Sequence, residues 1–193
     1  MNARNVTAAI LAGGAGRRLG GRDKGLENLA GRALIAHVIE RIRPQVGAVT
    51  IVANRNREVY ANYATVIADD APGFLGPLAG IASALACCTS TWLLTASVDV
   101  PRPPLDLVAR LMSAIGDSAV AVAHDGERRQ PLFALYSTQL AGSANDALER
   151  DLAVWRWQDE NNAVDVDFSH ERDAFRNLNA PDDFRNWENA HHG

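Results

Sequence analysis

A glycine-rich loop with four basic side chains follows the first apolar run of the chain. Arg17, Arg18, Arg22 and Lys24 stand close together within residues 11–25, which are rich in glycine. Glycine lets backbone N–H groups approach an anion closely, and the basic side chains supply the opposite charge. Because the preceding apolar run has the composition of a buried strand, the pattern predicts a phosphate site where that strand ends.

Neither of the two commonest phosphate motifs fits this loop. A Walker A loop ends in Gly-Lys-Ser/Thr, whereas Lys24 is followed by Gly25 and Leu26. A dinucleotide fingerprint, G-x-G-x-x-G, that began at Gly14 would need a glycine where the chain has Leu19. The sequence therefore disfavours both a P-loop ATPase and an NAD-binding protein.

Polar residues also follow the later strand-like runs. Asp99 follows the run 92–98, and Pro101 would stop that strand. A carboxylate at the C-terminal end of a central strand is a hard oxygen ligand that suits Mg²⁺ beside phosphates. Asn54 and Asp69 follow two other runs, where they could contact a base or a ribose or could simply form turns.

Three further segments are candidates for binding. The loop 74–80 leads through Pro77 to Gly80, and it could let a planar base approach closely or only start a helix. Arg128 and Arg129 follow an Asp-Gly turn, and they could face an anionic second substrate or lie at a solvated hairpin tip. Asn177 and Asn179 precede a helix, which Asn179 could cap, or both amides could point into the site.

Runs typical of strands alternate with runs typical of helices. The predicted strands are 6–11, 48–53, 66–68, 92–98, 119–123 and 131–136. The predicted helices are 33–43, 78–88, 105–115, 138–150 and 181–190. This order predicts one doubly wound, Rossmann-like α/β domain over residues 1–193 with a mainly parallel sheet, in which 190–193 form a frayed tail. The ligand is expected beyond the C-terminal strand ends, at the topological switch point.

Composition narrows the class of ligand. The 193 residues include 19 basic and 23 acidic ones, a net charge of −4, which disfavours a nucleic-acid binder and favours a small phosphorylated ligand at the local basic loop. No apolar run is long enough to span a membrane, and no signal peptide is evident. Cys87 and Cys88 are adjacent and lack metal-site spacing, which predicts a reducing, cytoplasmic location.

Several motifs occur together in one order along the chain. They are Leu11-Ala12-Gly13-Gly14, Gly20-Gly21-x-Asp23-Lys24-Gly25, Gly76-Pro77-Leu78-Ala79-Gly80, Asp99-Val100-Pro101 and Asn177-x-Asn179. In these residues the chain resembles the molybdenum cofactor guanylyltransferases, within the wider nucleotidyltransferases. The resemblance implies transfer of GMP from Mg²⁺-bound GTP to metal-loaded molybdopterin, with release of pyrophosphate. Other molybdenum cofactor synthesis proteins or recipient molybdoenzymes would be its partners.

The resemblance also implies roles for individual residues. The residues expected to contact the nucleotide are Leu11, Ala12, Gly13, Gly14, Lys24, Asn54, Asp69, Gly80 and Asp99. Lys24, Arg18 and Asp99 would be catalytic, with Asp99 as the Mg²⁺ ligand. The candidates for the second substrate are Arg128, Arg129, Asn177 and Asn179.

Three other functions remain open from the sequence. A cytidylyltransferase acting on the same pterin usually begins with Ala-Ala-Gly, where this chain has Ala12-Gly13-Gly14. Sugar-phosphate nucleotidyltransferases are usually longer than 193 residues. A catalytically idle nucleotide-binding or cofactor-carrier module would not need both Lys24 and Asp99, so these residues favour an enzyme.

Overall fold

The computed structural model describes residues 3–12, 23–68 and 76–191, and a seven-stranded sheet runs through them. Its strands are Val6–Leu11 (β1), Ala48–Val52 (β4), Thr65–Ile67 (β5), Trp92–Ser97 (β6), Val120–His124 (β7), Arg129–Ser137 (β8) and Val164–Asp167 (β9), while Asn28–Leu29 (β2) and Arg32–Ala33 (β3) form a separate hairpin. The helices are Leu34–Ile42 (α1), Arg57–Tyr60 (α2), Pro77–Cys87 (α3), Leu107–Ala114 (α4), Ala141–Glu149 (α5), Val154–Glu160 (α6) and Pro181–His191 (α7). Within these described stretches, no helix combines the length and apolarity needed to cross a membrane.

The sheet is mainly parallel, as predicted. Its order is β5-β4-β1-β6-β8-β7-β9, and β1 pairs in parallel with both β4 and β6. Strand β8 is antiparallel to both of its neighbours, β6 and β7, whereas β9 runs parallel to β7. The other six strands therefore point the same way, and their C-terminal ends lie along one edge of the sheet.

Helices cover both faces of the sheet, which confirms the doubly wound α/β fold. Helix α1 buries Ile35, Val38 and Ile42 in the core cluster that α4 also joins on one face. Their i, i+3, i+7 spacing places these side chains on one side of the helix. Helices α3, α5 and α6 pack in a second core cluster on the opposite face, where Trp157 of α6 stacks on Tyr136 of β8.

The chain leaves the centre of the sheet in two directions. From β1 it passes through α1 to β4 on one side, and α3 later returns it to β6 on the other side of β1. The strand order therefore reverses at β1, which is where open α/β sheets bind ligands. That a ligand binds at this position remains a prediction. The polar residues described below lie here, at the C-terminal edge of the sheet.

Five of the strands and α-helices in the described residues were not predicted from the sequence. They are the β2–β3 hairpin, α2, α6 and β9. The hairpin turns through Ala30 and Gly31, both with positive φ (51° and 81°), but Ala-Gly lacks the Asn-Gly signature of such turns. Strand β9 has only four residues, and its pairing with β7 stabilises it through contacts that local pattern does not encode.

Candidate active site

The ends of the central strands are tied together by the backbone. The amide of Ala12, one residue past β1, donates to the carbonyl of Val52 at 3.0 Å. The amide of Val98, one residue past β6, donates to the carbonyl of Leu11 at 3.2 Å. Leu11 and Ala12, both predicted to contact the nucleotide, therefore lie between the ends of β4 and β6.

Lys24 joins two distant segments at this edge. Its ammonium donates to Asp99 Oδ2 at 3.0 Å and to Asn179 Oδ1 at 2.6 Å. Asp99 is 75 residues from Lys24 in the chain, and Asn179 is 155 residues from it. The two charged side chains are each about one-fifth exposed, so this ion pair is partly shielded from water yet open to a ligand.

The Asp99 carboxylate is held on both of its oxygens. Lys24 donates to Oδ2, and the hydroxyl of Ser97, the last residue of β6, donates to Oδ1. Ser97 is buried at 9% exposure, so its hydroxyl has a fixed environment. The strand end thus presents a carboxylate of defined orientation, which is the arrangement expected for a metal ligand.

The side-chain oxygen of Asn179 accepts from Lys24, while its backbone amide faces the first turn of the following helix, α7. The carboxylate of Asp183, in the first turn of α7, accepts from the backbone amides of Asn179 and Ala180, both at 2.8 Å. These two hydrogen bonds lower the pKa of the Asp183 carboxyl, and the one from Asn179 has the larger effect. Of the two roles left open for Asn179, a helix cap or a side-chain amide that points into the site, the contact with Lys24 favours the second, and Asp183 reaches back to the two backbone amides that precede the helix.

A small apolar cluster holds the C-terminal segment against the N-terminal hairpin. Leu178 is fully buried with Leu29 and Leu34. Its amide donates to the carbonyl of Asp99 at 2.9 Å. Because Leu178 points into this cluster, Asn177 and Asn179 on either side of it are exposed, and Asn179 is directed to Lys24.

A second carboxylate, Asp23, immediately precedes Lys24 and has three hydrogen-bond donors. Tyr60 Oη donates to Oδ1 at 2.6 Å, the amide of Gly25 donates to Oδ1 at 3.2 Å, and Asn56 Nδ2 donates to Oδ2 at 2.9 Å. Sequence reasoning singled out neither Asn56 nor Tyr60. The buried aromatic in a short helix gave no signal that its hydroxyl faces the basic loop.

The remaining nucleotide-side candidates differ in their surroundings. Asn54 is exposed just beyond β4. Gly80 is buried inside α3, where a Cβ would come within 3.3 Å of Val52 and 3.4 Å of Leu11. The glycine therefore brings α3 close to the two strand ends, and its contact with a nucleotide stays a prediction. Other candidates lie outside the described residues; they are Gly13, Gly14, Arg18 and Asp69.

The two arginines predicted to face a second substrate have different environments. Arg129 makes a bidentate contact with Asp165, at 2.6 and 3.1 Å, and a further contact with Asp159 at 2.5 Å. The hydrogen bond to Asp165 is the main cause that raises the pKa of Arg129. Arg128 is 74% exposed and lies 3.9 Å from Asp125. The structure thus ties Arg129 to the sheet edge and leaves Arg128 open to a ligand.

Asp99 is the candidate metal ligand with the most suitable surroundings. Across residues 3–12, 23–68 and 76–191, no three His, Cys, Asp or Glu side chains are grouped so that they could hold a metal by themselves. Magnesium does not require such a cage, since one or two carboxylates commonly hold it together with substrate phosphates. The oriented Asp99 carboxylate, with the Asn179 amide oxygen nearby on Lys24, fits that kind of site.

The sequence matches the family model of the MobA-like NTP transferase domain over residues 8–164. The match begins inside β1 and ends at the start of β9. It therefore includes Lys24 and Asp99, but not the C-terminal segment that carries Asn179.

The chain is similar to other proteins over nearly its whole length. A molybdenum cofactor guanylyltransferase of Shewanella sp. (strain MR-4) is 44% identical over 181 residues, or 92% of each chain. A protein of the same name from Yersinia pestis (strain Pestoides F) is 41% identical over 191 residues, or 98% of each chain. The crystal structure of molybdopterin-guanine dinucleotide biosynthesis protein A from Archaeoglobus fulgidus has a TM-score of 0.78 at 25% identity, and covers 95% of this chain and 97% of that one.

Proposed function

This chain belongs to the MobA-like NTP transferase family and is a nucleotidyltransferase, and on that basis we propose that it transfers GMP from GTP to metal-loaded molybdopterin. The relatives at 41% and 44% identity support the choice of guanylyl transfer by their names. The structural observation that carries the proposal is the contact of Lys24 with Asp99 and Asn179 at the C-terminal edge of the sheet.

The proposed reaction joins two phosphates. An oxygen of the terminal phosphate of the pterin attacks the α-phosphorus of GTP and forms a new P–O bond. The bond from that phosphorus to the oxygen shared with the β-phosphate breaks, and pyrophosphate leaves with the electron pair. Because the pterin supplies the nucleophile, the protein needs only to align the reactants and neutralise charge.

Lys24 is proposed to neutralise charge on the leaving group. An ammonium has three N–H donors, and Asp99 and Asn179 accept from two of them. The third can donate to a phosphate oxygen. That contact strengthens as negative charge moves onto pyrophosphate, so it lowers the barrier more than it strengthens binding of the substrate. Arg18 is proposed to act in the same way from the glycine-rich loop.

Asp99 is proposed to hold Mg²⁺, and Ser97 keeps its carboxylate in one orientation. When bound, the ion supplies positive charge that neutralises the phosphates of GTP. The side-chain oxygen of Asn179, which accepts a hydrogen bond from Lys24, is a second possible oxygen ligand close to this position.

The two substrates are proposed to bind on opposite sides of this cluster. The nucleotide would contact the residues near the ends of β1, β4 and β5, namely Leu11, Ala12, Gly13, Gly14, Asn54 and Asp69, with Gly80 holding α3 close. The pterin would lie toward the β7–β8 turn and the C-terminal segment, near Arg128, Asn177 and Asn179, whereas Arg129, which the sequence also suggested for this substrate, is proposed to support that turn through Asp159 and Asp165. A cytoplasmic location and contact with recipient molybdoenzymes stay predictions.

Pyrophosphate release with GTP, CTP, ATP and UTP in turn, with and without metal-loaded molybdopterin, tests the proposal. We expect release only with GTP and the pterin together. A second measurement, the melting temperature with each nucleotide and Mg²⁺, should rise most with GTP, since a ligand that binds the folded state stabilises it. Preference for CTP would assign the chain to cytidylyl transfer, and binding without release would make it a nucleotide-binding module.

A further inference from the structure

We infer that Tyr60 and Asn56 are positioning residues for Lys24, acting through the carboxylate of Asp23. The inference rests on the proposed function, because Lys24 must be the side chain that meets the phosphates of the nucleotide. It assigns a role in the reaction to α2, the short helix after β4, which lies outside the glycine-rich loop.

The hydrogen bonds around Asp23 fix the backbone at the position before Lys24. Tyr60 and the Gly25 amide share Oδ1, and Asn56 occupies Oδ2, so both carboxylate oxygens are engaged. The Gly25 hydrogen bond makes Asp23 the N-cap of the short 3-10 helix Lys24–Leu26. Lys24 is therefore the first residue of a helical turn that Asp23 caps. Asn56 and Tyr60, at the start of α2 and within it, hold the Asp23 carboxylate in turn.

Tyr60 is suited to this role because it is buried and stays protonated. Its side chain is fully buried in the main core cluster. Burial, together with the hydrogen bond to Asp23, raises the pKa of the Tyr60 phenol, so the hydroxyl remains protonated and can donate at neutral pH. A buried donor anchored by an aromatic ring gives Asp23 a rigid support.

Close packing on the other side of Lys24 completes the arrangement. A Cβ on Gly25 would overlap the Tyr60 hydroxyl and would come 3.0 Å from Val98, the residue before Asp99. The chain at Lys24 thus lies against Tyr60 and against the strand end that carries Asp99. This double contact places the Lys24 ammonium where it reaches Asp99 Oδ2.

Asn56 links this support to the nucleotide side of the site. It adopts a left-handed conformation (φ 51°, ψ 31°) two residues after Asn54, the predicted nucleoside contact. Asparagine tolerates that conformation better than most residues. The segment that follows β4 therefore carries one predicted ligand contact at Asn54 and one support for Lys24 at Asn56.

Tyr60→Phe tests the inference, because it removes the hydroxyl and keeps the ring. We expect kcat for guanylyl transfer to fall about tenfold, while KM for GTP changes less than about twofold, since misplacement of Lys24 costs most in the transition state. Tyr63→Phe is the matched control. Tyr63 packs against the same core cluster and is not among the hydrogen-bond partners of Asp23 in the described residues, so its kcat should stay within about twofold.

Asn56→Gly provides a second variant that does not depend on the core. Glycine keeps the left-handed conformation available and removes the amide. A fall in kcat of about threefold is expected, with a melting temperature close to that of the wild type. Unchanged kcat in both Tyr60→Phe and Asn56→Gly would overturn the inference.

Combination with Lys24→Ala separates positioning of Lys24 from general support of the fold. If Tyr60 acts through Lys24, Tyr60→Phe should change kcat less than about twofold once Lys24 is alanine. An equal tenfold loss in both backgrounds would show that Tyr60 acts elsewhere and would refute the inference. Calorimetric titration with Mg²⁺ and GTP adds a readout besides turnover: Tyr60→Phe should change the affinity for GTP by less than about twofold, and a loss of affinity as large as the loss in kcat would refute a positioning role in the transition state.

The outcome for Lys24 itself distinguishes the two proposals. If Lys24→Ala turns over like the wild type, the proposed role of Lys24 fails and the inference falls with it. If Lys24→Ala is strongly impaired while Tyr60→Phe and Asn56→Gly are normal, only the inference fails.

Discussion

Lys24 and Arg129 lie at the same edge of the sheet, contact carboxylates and have almost equal exposure, at 19% and 20%. Their surroundings differ in net charge. Lys24 contacts the single carboxylate of Asp99 and a neutral amide. Arg129 contacts the two carboxylates of Asp159 and Asp165, so its immediate environment is net negative.

This difference indicates which basic side chain can serve an anionic substrate. A phosphate that approached Arg129 would meet two competing carboxylates and would be repelled by the surplus negative charge. Lys24 is part of a neutral pair, and occupation of Asp99 by a metal ion would leave its positive charge uncompensated. The number of carboxylates around each side chain therefore distinguishes Lys24, the candidate catalytic cation, from Arg129, the structural one. Their exposed fractions, which are almost equal, do not distinguish them.

The largest effect is expected at Asp99. Asp99→Ala should reduce metal-dependent turnover by at least about a thousandfold, because the metal ligand at the strand end is lost. The fold should survive, since the side chain is outside the core. Asp165→Ala, the matched carboxylate beside Arg129, should keep turnover within about threefold. Steady-state guanylyl transfer and circular dichroism measure both effects, and near-normal turnover by folded Asp99→Ala would exclude the residue from the site.

Lys24→Ala should lower turnover by about 30- to 1,000-fold, the range expected for loss of roughly 2–4 kcal/mol of charge-assisted stabilisation in the transition state. Lys24→Arg should restore only part of it, because a planar guanidinium does not replace a compact ammonium between Asp99 and Asn179. Both variants are compared with the wild type in steady-state transfer. A loss under threefold for Lys24→Ala would contradict the phosphate role.

Substitutions of Arg128 and Arg129 should have different effects, on substrate binding for Arg128 and on stability for Arg129. Arg128→Ala should raise KM for the pterin substrate about three- to tenfold without changing the melting temperature, because its side chain is exposed. Arg129→Ala should lower the melting temperature by roughly 3–5 °C and change KM little, since it removes a cation from between two carboxylates. Arg150→Ala, which breaks an exposed pair with Glu160, is the control for surface charge. The reverse pattern would assign Arg129 to the substrate.

The smallest effect concerns the helix that follows Asn179. Asp183→Asn should lower the melting temperature by roughly 2–4 °C at pH 6, because the ionised carboxylate accepts from two backbone amides. The pKa of Asp183 is lower in the folded protein than its ordinary value of 3.8, so this stabilisation is present above that value and is lost as pH falls through the folded-state pKa. The difference between wild type and variant should therefore shrink toward pH 3 in thermal melts.

The sequence predicted the elements whose apolar pattern is long and regular. Strand β1 and helix α1 were found within one residue of their expected ends, while β6 ends at Ser97, one residue before its predicted end, and Asp99 lies in the turn that follows. The pairing of Lys24 with Asp99 was not predicted, because it joins positions 75 residues apart whose proximity depends on the whole sheet.

The supports of the site were harder to predict than its charged residues. Tyr60 lies in a four-residue helix, too short for a periodic pattern. The contact of Asn179 with Lys24 depends on Leu178, whose burial beside Leu29 joins the segment before α7 to the β2–β3 hairpin. The environment of Arg129 depends on α6 and β9, which were not predicted, so its carboxylates could not be anticipated.

The contact between Leu178 and the β2–β3 hairpin affects the order in which the sheet and the candidate site form during synthesis. A ribosome makes Asn179 155 residues after Lys24, when the strands from β1 to β9 have already been synthesised. Closing so long a loop costs entropy, which contacts of the sheet and of the Leu29–Leu34–Leu178 cluster help to offset. A nascent chain can therefore form much of its sheet while Lys24 still lacks its amide contact, and the complete site appears only after Asn179 has been synthesised.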